Sequence, residues 1–309
     1  MVCYCFATME AVRQLGFGEQ PPTYLASDRP SRVGPVTQIS YADAGSLLTP
    51  GSGFMRAYKF LINPYSGCGF GCDYCYARFF APTPELRDSW GEWLTVKQNA
   101  KAIVERATRA RTSAHRIEPG DALYMSSVTD PYQPIEQRLG LTREILEALV
   151  PLQPRLTIQT RSPIVVRDID LLRQFERVRV NLTVTTDSER VRLRYEPHCP
   201  AIEVRLETAE KLSRAGVPIG ISVSPLFPMD DVEKFGHRIA ALNAVEYVTQ
   251  YFKDPRQRFS AGTSVEALEK TREDGWGREQ YARAREVLTR ILGPERPLLE
   301  GMEGYAPPP

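Results

Sequence analysis

Three cysteines stand close together in one loop, Asn63-Pro64-Tyr65-Ser66-Gly67-Cys68-Gly69-Phe70-Gly71-Cys72-Asp73-Tyr74-Cys75-Tyr76-Ala77-Arg78. The chain has six cysteines, so half of them fall here. The glycines between them let the backbone curl until the sulfurs of Cys68, Cys72 and Cys75 face inward, and thiolates so gathered hold a soft metal centre. Three sulfurs leave one coordination position open. An iron–sulfur cluster ordinarily takes four cysteines, so a cluster held by three offers one iron to another molecule. Zinc is the competing metal, but a structural zinc site needs a fourth ligand, generally from a second separated pair, and no such pair stands nearby. Spacing and loop context together favour the cluster.

The elements that must position this loop follow a regular order. From Tyr58 onward short apolar strands alternate with longer amphipathic helices, the order of a parallel α/β sheet with crossover helices. Strands are expected at Lys59–Ile62, Ala122–Ser126, Leu156–Gln159, Val178–Val184, Pro218–Ser224 and Tyr247–Tyr251. Helices are expected at Thr95–Arg111, Thr142–Leu149, Asp168–Phe175, Ile202–Ala215, Asp231–Asn243 and Arg278–Leu292. Each strand begins apolar and ends in hydrogen-bonding groups. After the cluster loop these are Ser126, Ser127, Thr129 and Asp130, then Thr160, Arg161 and Ser162, then Thr183, Thr185 and Asp187, then Ser222 and Ser224, then Gln250 and Tyr251. In an α/β barrel such ends ring one mouth, with the cluster among them. Taken singly, small polar residues also just terminate strands and cap helices.

Length and composition bound the alternatives. At 309 residues the chain can bury a large core and form one barrel-like domain with extensions. It has no apolar run long enough to span a bilayer, and its start lacks the plan of a signal peptide, so a cytoplasmic location without membrane contact is expected. Unevenly spaced cysteines suit a reducing compartment rather than a disulfide framework. The net charge of +1 argues against indiscriminate coating of nucleic acid. Residues 1–53 read as an irregular amino-terminal arm, 54–252 as the main domain and 253–309 as a charged helical extension. Cys3 and Cys5, in the arm, read as free thiols.

The cluster loop resembles that of the radical S-adenosylmethionine (SAM) superfamily, and the stretch from Tyr58 to Phe252 resembles its spore photoproduct lyase branch. The anchors are Asn63-Pro64-Tyr65 with the three cysteines, Tyr74-Cys75-Tyr76, Ser126-Ser127-Val128-Thr129-Asp130-Pro131-Tyr132-Gln133-Pro134, Thr160-Arg161-Ser162, Tyr195-Glu196-Pro197 and Ala215-Gly216-Val217-Pro218-Ile219-Gly220. The resemblance implies a partial (β/α)6 TIM-type barrel holding a [4Fe-4S] cluster through Cys68, Cys72 and Cys75. It further implies that SAM binds the open iron and is cleaved by one electron to methionine and a 5′-deoxyadenosyl radical, which takes a hydrogen from substrate. A reductase or a flavodoxin- or ferredoxin-type protein would supply the electron. Tyr74 resembles the aromatic beside the adenine. Thr129 and Arg161 match positions that touch SAM, the second a lysine in the lyase, and an arginine fork would hold the SAM carboxylate by two bonds instead of one. Thr183 or Thr185 occupies the position that contacts the ribose or amino group; Ser127, Asp130 and Ser224 are further strand-end candidates for holding the cofactor.

One departure bears on mechanism. The lyase's hydrogen-donor cysteine is matched here by Ser127, whose O–H bond is too strong to give up a hydrogen atom to a carbon radical. Tyr76, matching a member of the lyase's hydrogen-transfer chain, and Cys199, in the loop after Tyr195-Glu196-Pro197, are the remaining donor candidates. A lone loop cysteine is also often inert. The expected substrate is nucleic-acid-related, a damaged or modified pyrimidine by analogy with that branch. A peptide or small metabolite is the second reading, and a non-catalytic metal-binding interaction protein is the reading from another class.

Overall fold

The computed structural model describes residues 29–112, 114–252 and 263–309; Cys3, Cys5 and the stretch 253–262 lie outside them. Its strands are β1 (Gln38–Ala42), β2 (Leu48–Pro50), β3 (Phe60–Ile62), β4 (Tyr65–Ser66), β5 (Trp93–Lys97), β6 (Ala122–Met125), β7 (Arg155–Thr160), β8 (Val178–Thr183), β9 (Ile219–Val223), β10 (Glu246–Thr249) and β11 (Leu298–Glu300). The main sheet runs β11-β10-β9-β8-β7-β6-β3-β2. It is parallel throughout except for β2, which pairs antiparallel with β3. This is an open α/β barrel. The six strands expected from sequence are β3 and β6 to β10, each within two residues of its expected span.

Side chains alternate across the sheet with the period of two that a strand imposes. Leu123, Met125, Leu156, Ile158, Val180, Leu182, Ile219, Ile221 and Val223 face outward into the main core. Helices cover that face. In Ile202–Arg214 the residues Ile202, Leu206, Ala209 and Leu212 are buried, a spacing that puts them on one helical stripe. Gly216 ends that helix at a φ of +78°, with its N–H on Ser213 O and the Val217 N–H on Leu212 O, both at 3.0 Å. The intervening strand positions, Thr157, Gln159, Arg179, Asn181 and Thr183, turn into the lumen and bond to one another or to neighbouring tyrosines.

Two helix expectations are corrected by the structure. The helix expected at Thr95–Arg111 begins only at Ala100 and ends at Thr108. The Trp-Leu-Thr-Val stretch before it has aromatic and β-branched side chains that fit a pleated surface, and it forms β5 between β1 and β4. The helix expected at Asp168–Phe175 is reduced to Ile169–Leu172, preceded by a 3-10 helix at Pro163–Asp168. The segments before and after the barrel strands add strands of their own. β1 pairs with β5, β2 extends the barrel sheet at one edge and β11 extends it at the other. After β11 the chain turns back, and Gly304 packs against Val248 of β10, while Arg179 Nη2 donates to Ala306 O at 2.7 Å. Among the described residues no helix is long and apolar enough to cross a membrane.

Candidate functional site

The cysteine loop leaves β3 and is clamped at once. Asn63 Oδ1 accepts the N–H groups of Ser127 and Val128 at 3.0 and 3.1 Å, and Lys97 Nζ donates to Asn63 O at 2.8 Å. The loop's entry is therefore fixed to the end of β6. Gly67 and Gly71 adopt φ values of +79° and +52°. A Cβ on Gly67 would lie 2.5 Å from Trp93 O, and one on Gly71 would lie 3.0 Å from Gly91 Cα, so only glycine lets the loop curl this close to the strand behind it. Gly69 N donates to Gln133 Oε1 at 2.8 Å, and Thr129 Oγ1 donates to Gly67 O at 2.6 Å.

Cys68 and Cys72 are buried and Cys75 is half-buried. Among the described residues no three His, Cys, Asp or Glu side chains sit tightly enough to hold a single metal ion. Three thiols on one curled loop are the soft donor set that an iron–sulfur cluster takes.

Arg161, just past β7, ties the loop to the strand ends. Its Nη1 donates to Cys72 Sγ at 3.1 Å, to the Tyr74 hydroxyl at 2.8 Å and to Glu196 Oε1 at 2.9 Å. The fork expected to be free for a ligand carboxylate thus already spends this nitrogen on a protein carboxylate. Glu196 is fully buried. It also accepts from the hydroxyls of Tyr74 and of Thr185, the latter at 3.1 Å, and Arg205 Nη2 lies 2.5 Å from its other oxygen. Burial by itself would push this carboxyl up, but Arg205 and Arg161 outweigh it and hold Glu196 down at about 2.

The remaining expected residues divide among three places. Asp130 spends Oδ1 on Tyr132 N at 2.9 Å and Thr160 Oγ1 at 2.7 Å, and Oδ2 on Arg161 N at 3.0 Å. It orients Arg161 from behind. Thr183 accepts from Gln159 Nε2 at 2.6 Å in the lumen, whereas Thr185 belongs to the Glu196 group. Ser224 bonds to Tyr305. Tyr76, 39% exposed, donates to the carbonyl of Ser127. Cys199 is buried, with its Sγ 3.4 Å from Cys72 Sγ.

Four residues that organise the site had no role assigned from sequence: Asn63, Gln133, Glu196 and Arg205. A signal existed for the last. Arg205 stands on the apolar face of its helix, three residues after Ile202 and beside Leu206, where a charge without a partner is costly. Its presence there demands a buried acid, and Glu196 is that acid.

Comparison with known proteins gives a family and a shared fold. Residues 62–239 match the Radical SAM superfamily. An uncharacterized protein of Methanocaldococcus jannaschii is 35% identical over 176 residues, 57% of this chain and 63% of that one. A protein of Pseudomonas phage M6 named radical SAM Nalpha-GlyT isomerase is 27% identical over 198 residues, 62% of this chain and 39% of that one. Both matches therefore stop short of the relatives' full lengths. Spore photoproduct lyase complexed with dinucleoside spore photoproduct shares the fold, with a TM-score of 0.56 over 83% of this chain and 79% of that chain at 16% identity. With the family pattern running from the last residue of β3 through the helix that follows β9, and the three-cysteine loop at its head, the chain belongs to the radical SAM superfamily.

Proposed function

We propose that Cys68, Cys72 and Cys75 hold the family's [4Fe-4S] cluster and that SAM docks between their loop and the strand ends bearing Thr129, Arg161 and Thr185. When bound, the cluster supplies the electron that splits SAM into methionine and a 5′-deoxyadenosyl radical. The observation that carries this reading is the Arg161 guanidinium, which touches a cluster-loop sulfur and the buried Glu196 carboxylate at once. It holds the loop at the mouth of the barrel, where strand-end groups converge.

The chain's own residues orient and exclude. Glu196, kept ionised, fixes Arg161 and Tyr74; Asp130 sets the Arg161 backbone; Asn63 and Gln133 hold the loop's curl. Tyr76 is the residue assigned to return a hydrogen to the substrate radical, because its hydroxyl reaches the Ser127 position and its side chain is exposed beside the loop's third cysteine. Cys199 lies against Cys72 instead.

The substrate assigned is nucleic-acid-related. One naming supports it, the lyase's complex with a dinucleoside spore photoproduct, although a shared fold alone does not transfer a substrate. The test begins with anaerobic reconstitution with iron and sulfide. SAM and a strong reductant should then yield 5′-deoxyadenosine, and a colourless protein carrying one zinc would overturn the cluster assignment. Binding to a short single-stranded oligonucleotide should weaken as salt rises. Absence of binding at low salt would remove the nucleic-acid reading and leave a peptide or small metabolite.

A further inference from the structure

Cys199 sits in the loop after the helix Glu189–Tyr195, 127 positions from Cys72, yet the two sulfurs are 3.4 Å apart and both side chains are buried. Their approach is set by backbone as well as by side chain. Asp73 N donates to Tyr195 O at 3.0 Å and Cys199 N donates to Glu196 O at 3.0 Å. Arg192 Nη1, on the same helix, donates to Cys199 O at 2.9 Å and to Glu196 O at 3.2 Å. Arg161 Nη1 stands beside both sulfurs, at 3.1 and 3.9 Å. A disulfide needs its sulfurs at about 2.05 Å, so the closure left to make from 3.4 Å is shorter than one carbon–carbon bond.

We infer that Cys72 and Cys199 form an oxidative modification site, joined as a reversible disulfide when the chain carries no cluster and meets a hydroperoxide. In the first step one thiol takes an oxygen from hydrogen peroxide, becoming a sulfenic acid and releasing water. In the second the other sulfur displaces that oxygen as a second water and the S–S bond forms. Two thiols lose two electrons, one peroxide gains them, and both thiol protons leave in water. The bond stops Cys72 short of irreversible oxidation and withdraws it from the cluster loop until a dithiol reduces it. That last consequence rests on the ligand assignment proposed above; the disulfide itself does not.

The experiment treats the cluster-free full chain with one equivalent of hydrogen peroxide, alkylates free thiols and digests with trypsin without reduction. Mass spectrometry should find the peptide 60–78, which carries Cys68, Cys72 and Cys75, joined to the peptide 195–205, which carries Cys199. The link should persist in Cys68→Ser and Cys75→Ser and vanish in Cys72→Ser. Chain in which Cys199 is recovered alkylated, or joined to Cys3 or Cys5, overturns the inference, and this readout on the unaltered sequence does not depend on any variant folding. Iron uptake separates the two claims. Linked chain should take up no cluster until dithiothreitol is added; a linked chain that loads iron fully keeps the disulfide and overturns Cys72 as a ligand.

Discussion

The Tyr76 hydroxyl donates to the backbone carbonyl of Ser127, so the phenol one residue past the third cysteine of the loop reaches the turn that follows β6. Ser126, just before, has a φ of +69°, a left-handed conformation uncommon for a residue other than glycine, and this turn presents the Ser127 carbonyl to the phenol. Tyr76→Phe keeps the ring and removes the O–H. It should leave formation of 5′-deoxyadenosine within twofold of the unaltered enzyme while lowering the ratio of finished product to 5′-deoxyadenosine by about tenfold or more, equivalent to about 1.4 kcal/mol on the barrier. An unchanged ratio would remove Tyr76 from the hydrogen-return step.

Each cluster cysteine should be indispensable to iron content. Cys68→Ala, Cys72→Ala and Cys75→Ala, reconstituted anaerobically, should each lose most of the roughly four irons per chain that a [4Fe-4S] site holds, together with its broad visible absorbance. Circular dichroism should report the same secondary structure in all three, since the barrel strands do not depend on the loop for their pairing.

Glu196 joins two arginines that would otherwise be buried without a counter-ion. Glu196→Gln should destabilise the fold by about 3–5 kcal/mol, the cost of leaving a buried charge uncompensated, measured by urea unfolding. Arg161→Lys should be milder for stability, because the contacts to Cys72, Tyr74 and Glu196 all come from the one nitrogen Nη1, but it should weaken SAM binding, because the planar fork's other nitrogens are lost. Equilibrium dialysis with labelled SAM distinguishes the two effects.

Glu246 titrates in the neutral range. Its Oε1 lies 2.9 Å from Arg179 Nη2 but without hydrogen-bond alignment, so burial prevails over the guanidinium and pushes the carboxyl from 4.5 up to about 7. A carboxyl whose folded value exceeds its unfolded one contributes stability that is whole below about pH 4.5 and is lost as pH rises through about 7. The loss is on the order of 3 kcal/mol once the pH has passed well above 7. Glu246→Gln should flatten this part of the stability profile, read as thermal midpoints of the two proteins from pH 4.5 to 8; parallel profiles would place the titration elsewhere.

Gly67 tolerates no side chain. Gly67→Ala would set a Cβ 2.5 Å from Trp93 O at a φ of +79°, a strained backbone costing roughly 1–3 kcal/mol. The expected result is lower iron content after reconstitution with little change in the far-ultraviolet spectrum.

What could be read in advance follows from how far each partner lies along the chain. The six barrel strands announced themselves by apolar starts and polar ends, and the cysteine loop by its own spacing. β5 was hidden because Trp93–Lys97 runs directly into a helical pattern, and its partner β1 lies some fifty residues away. β11 is three residues long and carries too little pattern to register. The Glu196 network was illegible for a related reason. Its members come from the cysteine loop, the ends of β7 and β8 and two helices, and only the fold sums them into one group. The pairing of Cys72 with Cys199 is of this kind as well.

The barrel's first and last strands do not meet. β2 and β11 lie at opposite edges of the sheet, and the space between them is crossed by side chains from two 3-10 turns, Gly53–Met55 after β2 and Gly301–Tyr305 after β11, with the Phe54 and Tyr305 rings 6.1 Å apart between centroids. A seam made of ring contacts differs from a ladder in how it yields. It can part without breaking a single strand pairing, but only at the cost of the bonds from Tyr305 to Ser224 and from Arg179 to Ala306 O that tie the last turn to the sheet.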